Sequence, residues 1–215
     1  ANADKSIAAL IITGGEKNFC AGMDMAEMQT FRKEDTFPFW NSGYNVVFEK
    51  IYNFRVPTIA AVSGYALAGG FDLSISCDFR VVSETAKFGQ LEVDVHLSPG
   101  IDRLWRLVGL SRAKYLGMTC EIINAQEAYR IGLVNKVVPQ AELMIQTRQM
   151  AEMLCKPGPI AVRAAKKAMY EGMSQSLERG LELEKELTDV VTATQDFDEG
   201  VKAFLEKRKP EWKAK

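Results

Sequence analysis

The chain has little of several features that mark common classes of protein. It carries one histidine in 215 residues, and its four cysteines, Cys20, Cys77, Cys120 and Cys155, stand far apart with no C-x-x-C pair. A disulfide framework and a zinc site are therefore not expected, and no metal is predicted. The wide spacing of the cysteines indicates reduced thiols and a cytoplasmic location.

An excess of charge and a long apolar run are also missing. Lys and Arg (27) nearly balance Asp and Glu (28), so we expect no nucleic-acid partner and no attraction to an anionic membrane. No apolar run approaches the roughly 20 residues of a membrane-spanning helix. The first residues lack the basic segment and the cleavage site of a secretory signal. What remains is an ordinary globular composition, with 47% apolar and 26% charged residues.

Short apolar runs alternate with glycine-bearing loops and helix-like segments in the first two thirds of the chain. Strands are predicted over Ile7–Ile12, in VPTIAAVSG beginning at Pro57, and in FRVVS. Between the first two strands, a helix is predicted with Tyr44, Phe48 and Ile51 on one face. Repeated strand–loop–helix units indicate an α/β fold with a parallel sheet.

The last third of the chain reads as mostly helical. Asn124 is predicted to cap a helix that runs through Ile131 and breaks at Gly132 into the strand LVNKVV. Four more helices are predicted in AELMIQTRQMAEMLCK, AVRAAKKAMYEGM, SLERGLELEKELTDVVTAT and DEGVKAFLEKRK. The sequence therefore predicts an α/β core over residues 1–139 and a helical region over 140–215.

Two glycine-rich loops follow the first two predicted strands, which is where ligands bind to parallel sheets. They are NFCAGMD (Asn18–Asp24) and YALAGGFD (Tyr65–Asp72). A backbone N–H near Met23 and another at Gly69, where a helix begins, could point at one oxygen. Two such donors would form an oxyanion hole. The spacing alone leaves open that both loops are ordinary turns.

Two carboxylates stand among apolar residues near these loops. Asp72 follows Gly70 by two positions at the start of an apolar helix, and Glu92 lies in FGQLEVDVHLSPG. If they face each other across a pocket, the pair can perform general acid and general base catalysis. The alternatives are that Asp72 compensates the helix dipole and that Glu92 is a solvated or ion-paired loop residue.

Two further features leave their role open. His96 would have to serve as the base of a serine hydrolase, with Ser63 or Ser98 as nucleophile, but no G-x-S-x-G elbow is present. We therefore interpret His96 as structural or pocket-lining. The basic tail EKRKPEWKAK is either a solvated end or a contact to the phosphates of a large anionic ligand.

Four segments together resemble the enoyl-CoA hydratase/isomerase (crotonase) family. They are LIITGGEKNFCAGMDMAEM, PTIAAVSGYALAGGFDLSISCDFRV, AKFGQLEVDV and INAQEAYRIGLVNKVVP, and the likeness runs from about Ile7 to Trp212. The resemblance implies a crotonase-like (ClpP/crotonase) α/β fold, a spiral of ββα units followed by a helical C-terminal trimerisation region. It also implies a homo-trimer, or a hexamer built as a dimer of trimers. The implied substrate is an acyl-CoA thioester, with no cofactor because coenzyme A is part of the substrate.

The resemblance also implies roles for individual residues. The N–H groups of Met23 and Gly69 would hold the thioester oxygen, Asp72 and Glu92 would flank the Cα–Cβ bond, and Gly100 would help to position the reacting water. In hydration, Glu92 would activate that water as general base. Residues implied to contact the substrate are Ala21, Gly22, Asp24, Met25, Tyr65, Leu67, Gly70, Phe204 and Lys207.

This sequence departs from the family pattern in three ways. Hydratases of the family usually have glutamate where Asp72 stands, whereas aspartate also occurs in dienoyl-CoA isomerase-like members. The segment SPGIDRLWRLVG is shorter than the usual glycine-rich segment, and the N-terminal part of the usual core is expected to be absent. We expect an enoyl-CoA hydratase active in fatty-acid β-oxidation. The alternatives are an enoyl- or dienoyl-CoA double-bond isomerase and a non-catalytic, oligomeric acyl-CoA-binding scaffold.

Overall fold

The structure is a computed structural model, and it describes residues 2–30 and 45–214. Tyr44, which the sequence placed on a helix face, lies outside these residues. The described residues form two compact units. One comprises those within 10–54 and 58–149, and the other comprises those within 1–9, 55–57 and 150–215. The predicted division after residue 139 falls ten residues before the point where the first unit ends.

The strands and most of the short helices lie in the first unit. Its strands are β1 (Leu10–Thr13), β2 (Thr58–Val62), β3 (Tyr65–Leu67), β4 (Phe79–Ser83), β5 (Lys87–Gly89), β6 (Ile123–Asn124) and β7 (Lys136–Val138). Its helices are α1 (Met25–Met28), α2 (Asn45–Tyr52), α3 (Gly69–Ser76), α4 (Asp102–Val108), α5 (Leu110–Thr119) and α6 (Ala125–Arg130), with 3₁₀ turns at Glu92–Val95 and Gln140–Glu142. Helix α7 (Leu143–Cys155) carries the chain onward into the other unit, which holds α8 (Pro159–Gly172), α9 (Leu177–Thr192) and α10 (Gln195–Leu205).

The larger sheet confirms the predicted parallel arrangement. Its strand order is β1-β2-β4-β7, and each neighbouring pair is parallel. Every residue of β2 (TIAAV) is buried, as expected for a central parallel strand covered on both faces. The core beside it includes Phe71 of α3 and Phe88 of β5, whose rings meet edge to face with centroids 6.0 Å apart.

A second, smaller sheet was not predicted from the sequence. Strands β3 and β5 pair in parallel and β6 joins β5 antiparallel, in the order β3-β5-β6. These strands have only two or three residues, which is too short for the alternation of apolar and polar side chains to be read. The sequence therefore predicts a loop for the YALAGGFD stretch, whereas Tyr65–Leu67 form a strand.

Two predicted strands are shorter in the structure. The first begins at Leu10 rather than Ile7, because the carbonyl of Ile7 accepts a hydrogen bond from Arg55 Nη2 at 3.1 Å instead of pairing in the sheet. The last covers only Lys136–Val138, because the N–H groups of the preceding Leu133 and Val134 both bond to the carbonyl of Ala128. Helix α6 has the predicted cap, since the Asn124 side chain accepts from Glu127 N at 2.9 Å.

Arg80 holds the carboxyl end of α3 in place. Its guanidinium is almost fully buried and donates to four main-chain carbonyls, those of Ser74, Cys77, Asp78 and Leu133, at 2.6–3.2 Å. Buried carbonyls at a helix C-terminus attract a cation, and a planar guanidinium can serve several of them at once. Arg80 therefore fixes the helix whose first turn bears Gly69 and Asp72.

Replacing Arg80 by methionine should destabilise the protein by about 3 kcal/mol or more, because four carbonyls, three of them in buried hydrogen bonds, lose their donor. The measurement is urea unfolding followed by circular dichroism. Arg130→Met is the matched control, since Arg130 forms an exposed ion pair with Glu127, and its cost should stay below about 1 kcal/mol. Equal losses in the two variants would show that Arg80 has no special structural role.

The last described residues of the chain are hydrogen-bonded to earlier parts of the second unit. The buried carboxylate of Asp196 accepts from the N–H groups of Lys213 and Ala214 at 2.7 and 2.9 Å. The Trp212 indole donates to the carbonyl of Lys156 at 2.9 Å. A cavity of about 390 Å³ in this unit is lined mainly by apolar residues, among them Phe204. Within the described ranges, no helix combines the length and the apolar character needed to cross a bilayer.

Candidate active site

The two glycine-rich loops lie side by side because the first pairs with β3. The N–H groups of Phe19 and Cys20 both donate to the carbonyl of Tyr65, at 3.1 and 3.0 Å, and the N–H of Leu67 donates to the carbonyl of Cys20 at 3.0 Å. Gly70 packs directly on this strip, where an added Cβ would lie 1.9 Å from the Cys20 oxygen. The start of α3 is thereby held against the first loop.

The N–H groups of Met23 and Gly69 are both free to bind a ligand. In the described parts of the chain, neither donates a hydrogen bond. The carbonyl of Ala68 accepts from Asp72 N at 3.0 Å, inside α3. A trans peptide aims its C=O and its N–H in opposite directions, so the Gly69 N–H points away from the helix.

The two free N–H groups lie near each other. Gly22 has φ +99°, a value that favours glycine, and a Cβ added there would lie 3.4 Å from the Gly69 nitrogen. Met23 N is bonded to the Gly22 carbonyl carbon, so standard bond lengths place the nitrogens of Met23 and Gly69 within about 7 Å of each other. Two donors that share one oxygen lie at most about 6 Å apart, a separation that this upper bound permits.

Asp72 and Glu92 are brought together by a residue that sequence reasoning missed. Both carboxylates are buried, and so is Gln90, whose Nε2 donates to Asp72 Oδ1 at 3.3 Å and to Glu92 Oε2 at 3.1 Å. One amide group therefore bridges the two acids. A signal was present in the sequence, because Gln90 is a polar residue two positions before Glu92 in the otherwise apolar run FGQLEV.

Burial changes the acidity of both carboxyl groups. It raises the pKa of Asp72 to about 7, with a further contribution from the negative charge of Glu92, while the Gln90 hydrogen bond and the Arg103 charge oppose the change. Burial also raises the pKa of Glu92. A carboxyl group with a pKa of about 7 can hold a proton at neutral pH, which is a condition for general acid catalysis.

Buried acceptors beside the acids have no partner in the described structure. They are Oε1 of Gln90 and Oε1 of Glu92. Buried polar atoms are normally hydrogen-bonded, so these two oxygens mark a place suited to a hydrogen-bond donor such as water. Arg103 on α4 also has a buried, unpartnered Nε, and its guanidinium lies 5.6 Å from the centre of the Phe48 ring.

Gly100 lies directly against Asp72. A Cβ added at Gly100 would lie 2.7 Å from Asp72 Oδ2 and 2.9 Å from Oδ1, which is inside van der Waals contact. The absence of a side chain at residue 100 therefore leaves room for the carboxylate of Asp72. The resemblance implies that Gly100 helps to position the reacting water, and it gives no indication of this contact with Asp72.

Replacing Gly100 by alanine should lower kcat by about 10- to 100-fold, because the Asp72 carboxylate must turn away from its position. The fold should change little in stability. Gly180→Ala is the control, since Gly180 lies within α9 with open space around it. That variant should keep its kcat and gain up to about 1 kcal/mol of stability. An unchanged kcat in Gly100→Ala would contradict the positioning of Asp72 described above.

A model of the enoyl-CoA hydratase/isomerase family matches residues 1–215. The chain belongs to this family. It is 45% identical to the crotonyl-CoA hydratase of Syntrophomonas wolfei and 42% identical to the short-chain-enoyl-CoA hydratase of Clostridium acetobutylicum, each over 97% of this chain and 81% of the relative. The crystal structure of an enoyl-CoA hydratase from Bacillus anthracis matches with a TM-score of 0.95 and 40% identity, over 100% of this chain and 84% of that one.

Membership of the enoyl-CoA hydratase/isomerase family confirms the predicted crotonase-like fold. The predicted substrate-contact residues of the first unit lie around the two loops. Asp24 is occupied as the cap of α1, accepting from Ala26 N at 2.8 Å. Tyr65 is 41% exposed, with the Lys87 ammonium 5.6 Å from its ring centre. Met25 is exposed beside Asp24, whereas Leu67 is half-buried.

The other predicted substrate contacts are Ala21, Gly70, Phe204 and Lys207. Ala21 is exposed in the first loop next to Gly22. Gly70 is buried against Cys20, and this close packing accounts for a glycine there. Phe204 and Lys207 lie in the second unit, where Phe204 is 83% exposed and Lys207 has φ +53°. Their contact with a substrate stays a prediction.

In the described residues, His96 and Ser63 are not arranged as the base and the nucleophile of a serine hydrolase. His96 is exposed and ends the 3₁₀ turn with φ +61°. The hydroxyl of Ser63 donates to the carbonyl of Gly15 at 2.6 Å, so it is bonded to the turn after β1 rather than to a base. His96 therefore has a local backbone role, consistent with its structural interpretation.

Proposed function

We propose that the protein is an enoyl-CoA hydratase that adds water across the 2,3-double bond of a short-chain acyl-CoA thioester. The observation that carries the proposal is that the first turn of α3 bears both the free N–H of Gly69 and the buried carboxylate of Asp72, which Gln90 bridges to Glu92. The names of the Syntrophomonas and Clostridium relatives support a short acyl chain. Because hydration transfers no electrons, the proposal assigns no redox cofactor, and coenzyme A enters as part of the substrate.

The N–H groups of Met23 and Gly69 would bind the thioester oxygen. Attack at Cβ moves electrons onto that oxygen, so these donors stabilise charge that is greatest in the transition state. Loss of one such donor typically costs about 3 kcal/mol of barrier height. Gly69 adds the positive end of the α3 dipole.

The two acids would divide the proton transfers between them. Glu92 takes a proton from the water whose oxygen bonds to Cβ, and its unpartnered Oε1 is available to that water. The acid pair delivers a proton to Cα, and Asp72 is the member that holds one near neutral pH. Exchange with solvent restores the starting protonation, so atoms and charges balance over one turnover.

The test is loss of the conjugated thioester absorbance when the protein is mixed with crotonyl-CoA. We expect turnover with hydration as the product-forming step, verified by mass gain of one water. Migration of the double bond in a 3-enoyl-CoA without hydration of crotonyl-CoA would instead favour an isomerase. The isomerase is the second candidate because aspartate stands at position 72. Binding of CoA esters without any conversion would favour the scaffold.

We also propose that the chain assembles as a homo-trimer, or as two such trimers in a hexamer. The second unit exposes large apolar side chains, including Leu177 at 80%, Phe204 at 83% and Leu205 at 74%. Exposed apolar patches are typical of subunit interfaces, and Phe204 and Leu205 are neighbours at the end of α10. Light scattering coupled to size-exclusion chromatography tests this, and a monomeric mass would overturn it.

A further inference from the structure

Ala68 has a backbone conformation that L-amino acids rarely adopt. Its φ is +47° and its ψ is −122°, which lies outside the left-handed helical region and in a region that normally requires glycine. It immediately precedes Gly69, so its carbonyl and the Gly69 N–H belong to the same peptide. Strain at such a position persists only where the surroundings enforce it.

Hydrogen bonds on both sides hold Ala68 in this conformation. Its N–H donates to the carbonyl of Gly89 at 2.9 Å, and its carbonyl accepts from Asp72 N at 3.0 Å. The first bond ties it to β5, directly before Gln90, and the second to the first turn of α3. The direction of the Gly69 N–H is therefore fixed by contacts on either side of Ala68.

The methyl group of Ala68 also faces the other loop. It lies 3.1 Å from the position that a Cβ on Gly22 would occupy, so the methyl faces the bare Cα of Gly22. Gly22 in turn precedes Met23, the source of the other free N–H. Among the contacts that join the two loops, those of Cys20 with Tyr65 and Leu67 are main-chain hydrogen bonds, whereas the Ala68 contact is made by a side chain.

We propose that the Ala68 methyl is a spacer that sets the separation and direction of the Met23 and Gly69 N–H groups. Ala68 is thus a positioning residue of the oxyanion hole, and this inference rests on the proposed function. A strained alanine is retained because its methyl keeps the two loops apart. A glycine at residue 68 would relieve the backbone strain, but it would let the two loops move closer together or let the peptide between residues 68 and 69 rotate.

The decisive variant is Ala68→Gly, measured for stability and for kinetics. We expect its thermal midpoint to stay level or rise, while kcat on crotonyl-CoA falls about tenfold and KM changes little, because the donors are misplaced in the transition state. Binding of acetoacetyl-CoA, whose enolate resembles the charged intermediate, should weaken in parallel. Ala68→Ser keeps a Cβ and should retain most of the wild-type kcat.

Ala125→Gly is the matched control, because Ala125 is fully buried at the start of α6. It should lower the midpoint and leave kcat unchanged. The inference is overturned if Ala68→Gly keeps its kcat, if its kcat falls only together with its midpoint, or if Ala68→Ser loses as much activity as Ala68→Gly. Failure of the wild type on crotonyl-CoA would instead overturn the proposed function.

Discussion

Replacing Glu92 by glutamine lowers kcat for hydration of crotonyl-CoA by about a thousandfold, because general base catalysis by a positioned group contributes about 10²- to 10⁴-fold. Glutamine has the same shape and can still accept from Gln90 Nε2 through its carbonyl oxygen. It cannot take a proton from water at neutral pH. The loss should therefore appear in kcat, with KM nearly unchanged and the circular dichroism spectrum preserved.

Asp94→Asn provides the matched control for Glu92→Gln. Asp94 lies in the same 3₁₀ turn, but its side chain is exposed. The control removes one negative charge two residues from Glu92 and should leave kcat within about twofold of wild type, since exposed charges act weakly through water. Similar losses in both variants would assign the effect to the charge of the turn, and no loss in Glu92→Gln would remove the general base.

Much of the fold could be predicted from the sequence because it depends on patterns among neighbouring residues. The buried strand β2 is a continuous apolar run, and Asn124 is a strong cap with a glycine eight residues later. The glycine pair at Gly69 signalled a helix start, and the structure begins α3 there. These features follow from propensities that act over a few residues.

The remaining features depend on contacts between distant segments. The bridge from Gln90 to both acids needs α3 and the end of β5 to meet, and nothing in the neighbouring residues specifies that meeting. The conformation of Ala68 is the opposite of what alanine prefers, so its sequence context predicts the wrong φ. A tertiary hydrogen bond to Gly89, together with the helical bond from Asp72 N, overrides that preference.

Asp72 is the residue at which catalysis and stability conflict. Burial and the nearby charge of Glu92 raise its pKa from the ordinary 3.8 to about 7. An interval of about three pH units between folded and unfolded pKa values corresponds to up to about 4 kcal/mol. Ionising this carboxyl group within the fold therefore lowers the free energy of unfolding. We attribute the burial of Asp72 to the need for a proton donor in the site.

The sign of the pH dependence follows from the raised pKa. Between pH 4 and 7, folded Asp72 keeps a proton that the unfolded chain has already released. Stability from this group thus declines as pH rises from about 4 to about 7 and stays low above that. Asparagine does not ionise, so Asp72→Asn removes this decline.

We expect Asp72→Asn to gain up to about 3 kcal/mol of stability relative to wild type at pH 8 compared with pH 5, and to lose about a hundredfold in kcat. Urea unfolding of both proteins at several pH values measures the first effect, and taking the difference cancels other titrating groups. The exposed Asp94→Asn variant should follow the wild-type curve. Parallel curves for wild type and Asp72→Asn would show that Asp72 is not held protonated by burial. Its assignment as the proton donor to Cα would then fail, while the role of Glu92 would remain.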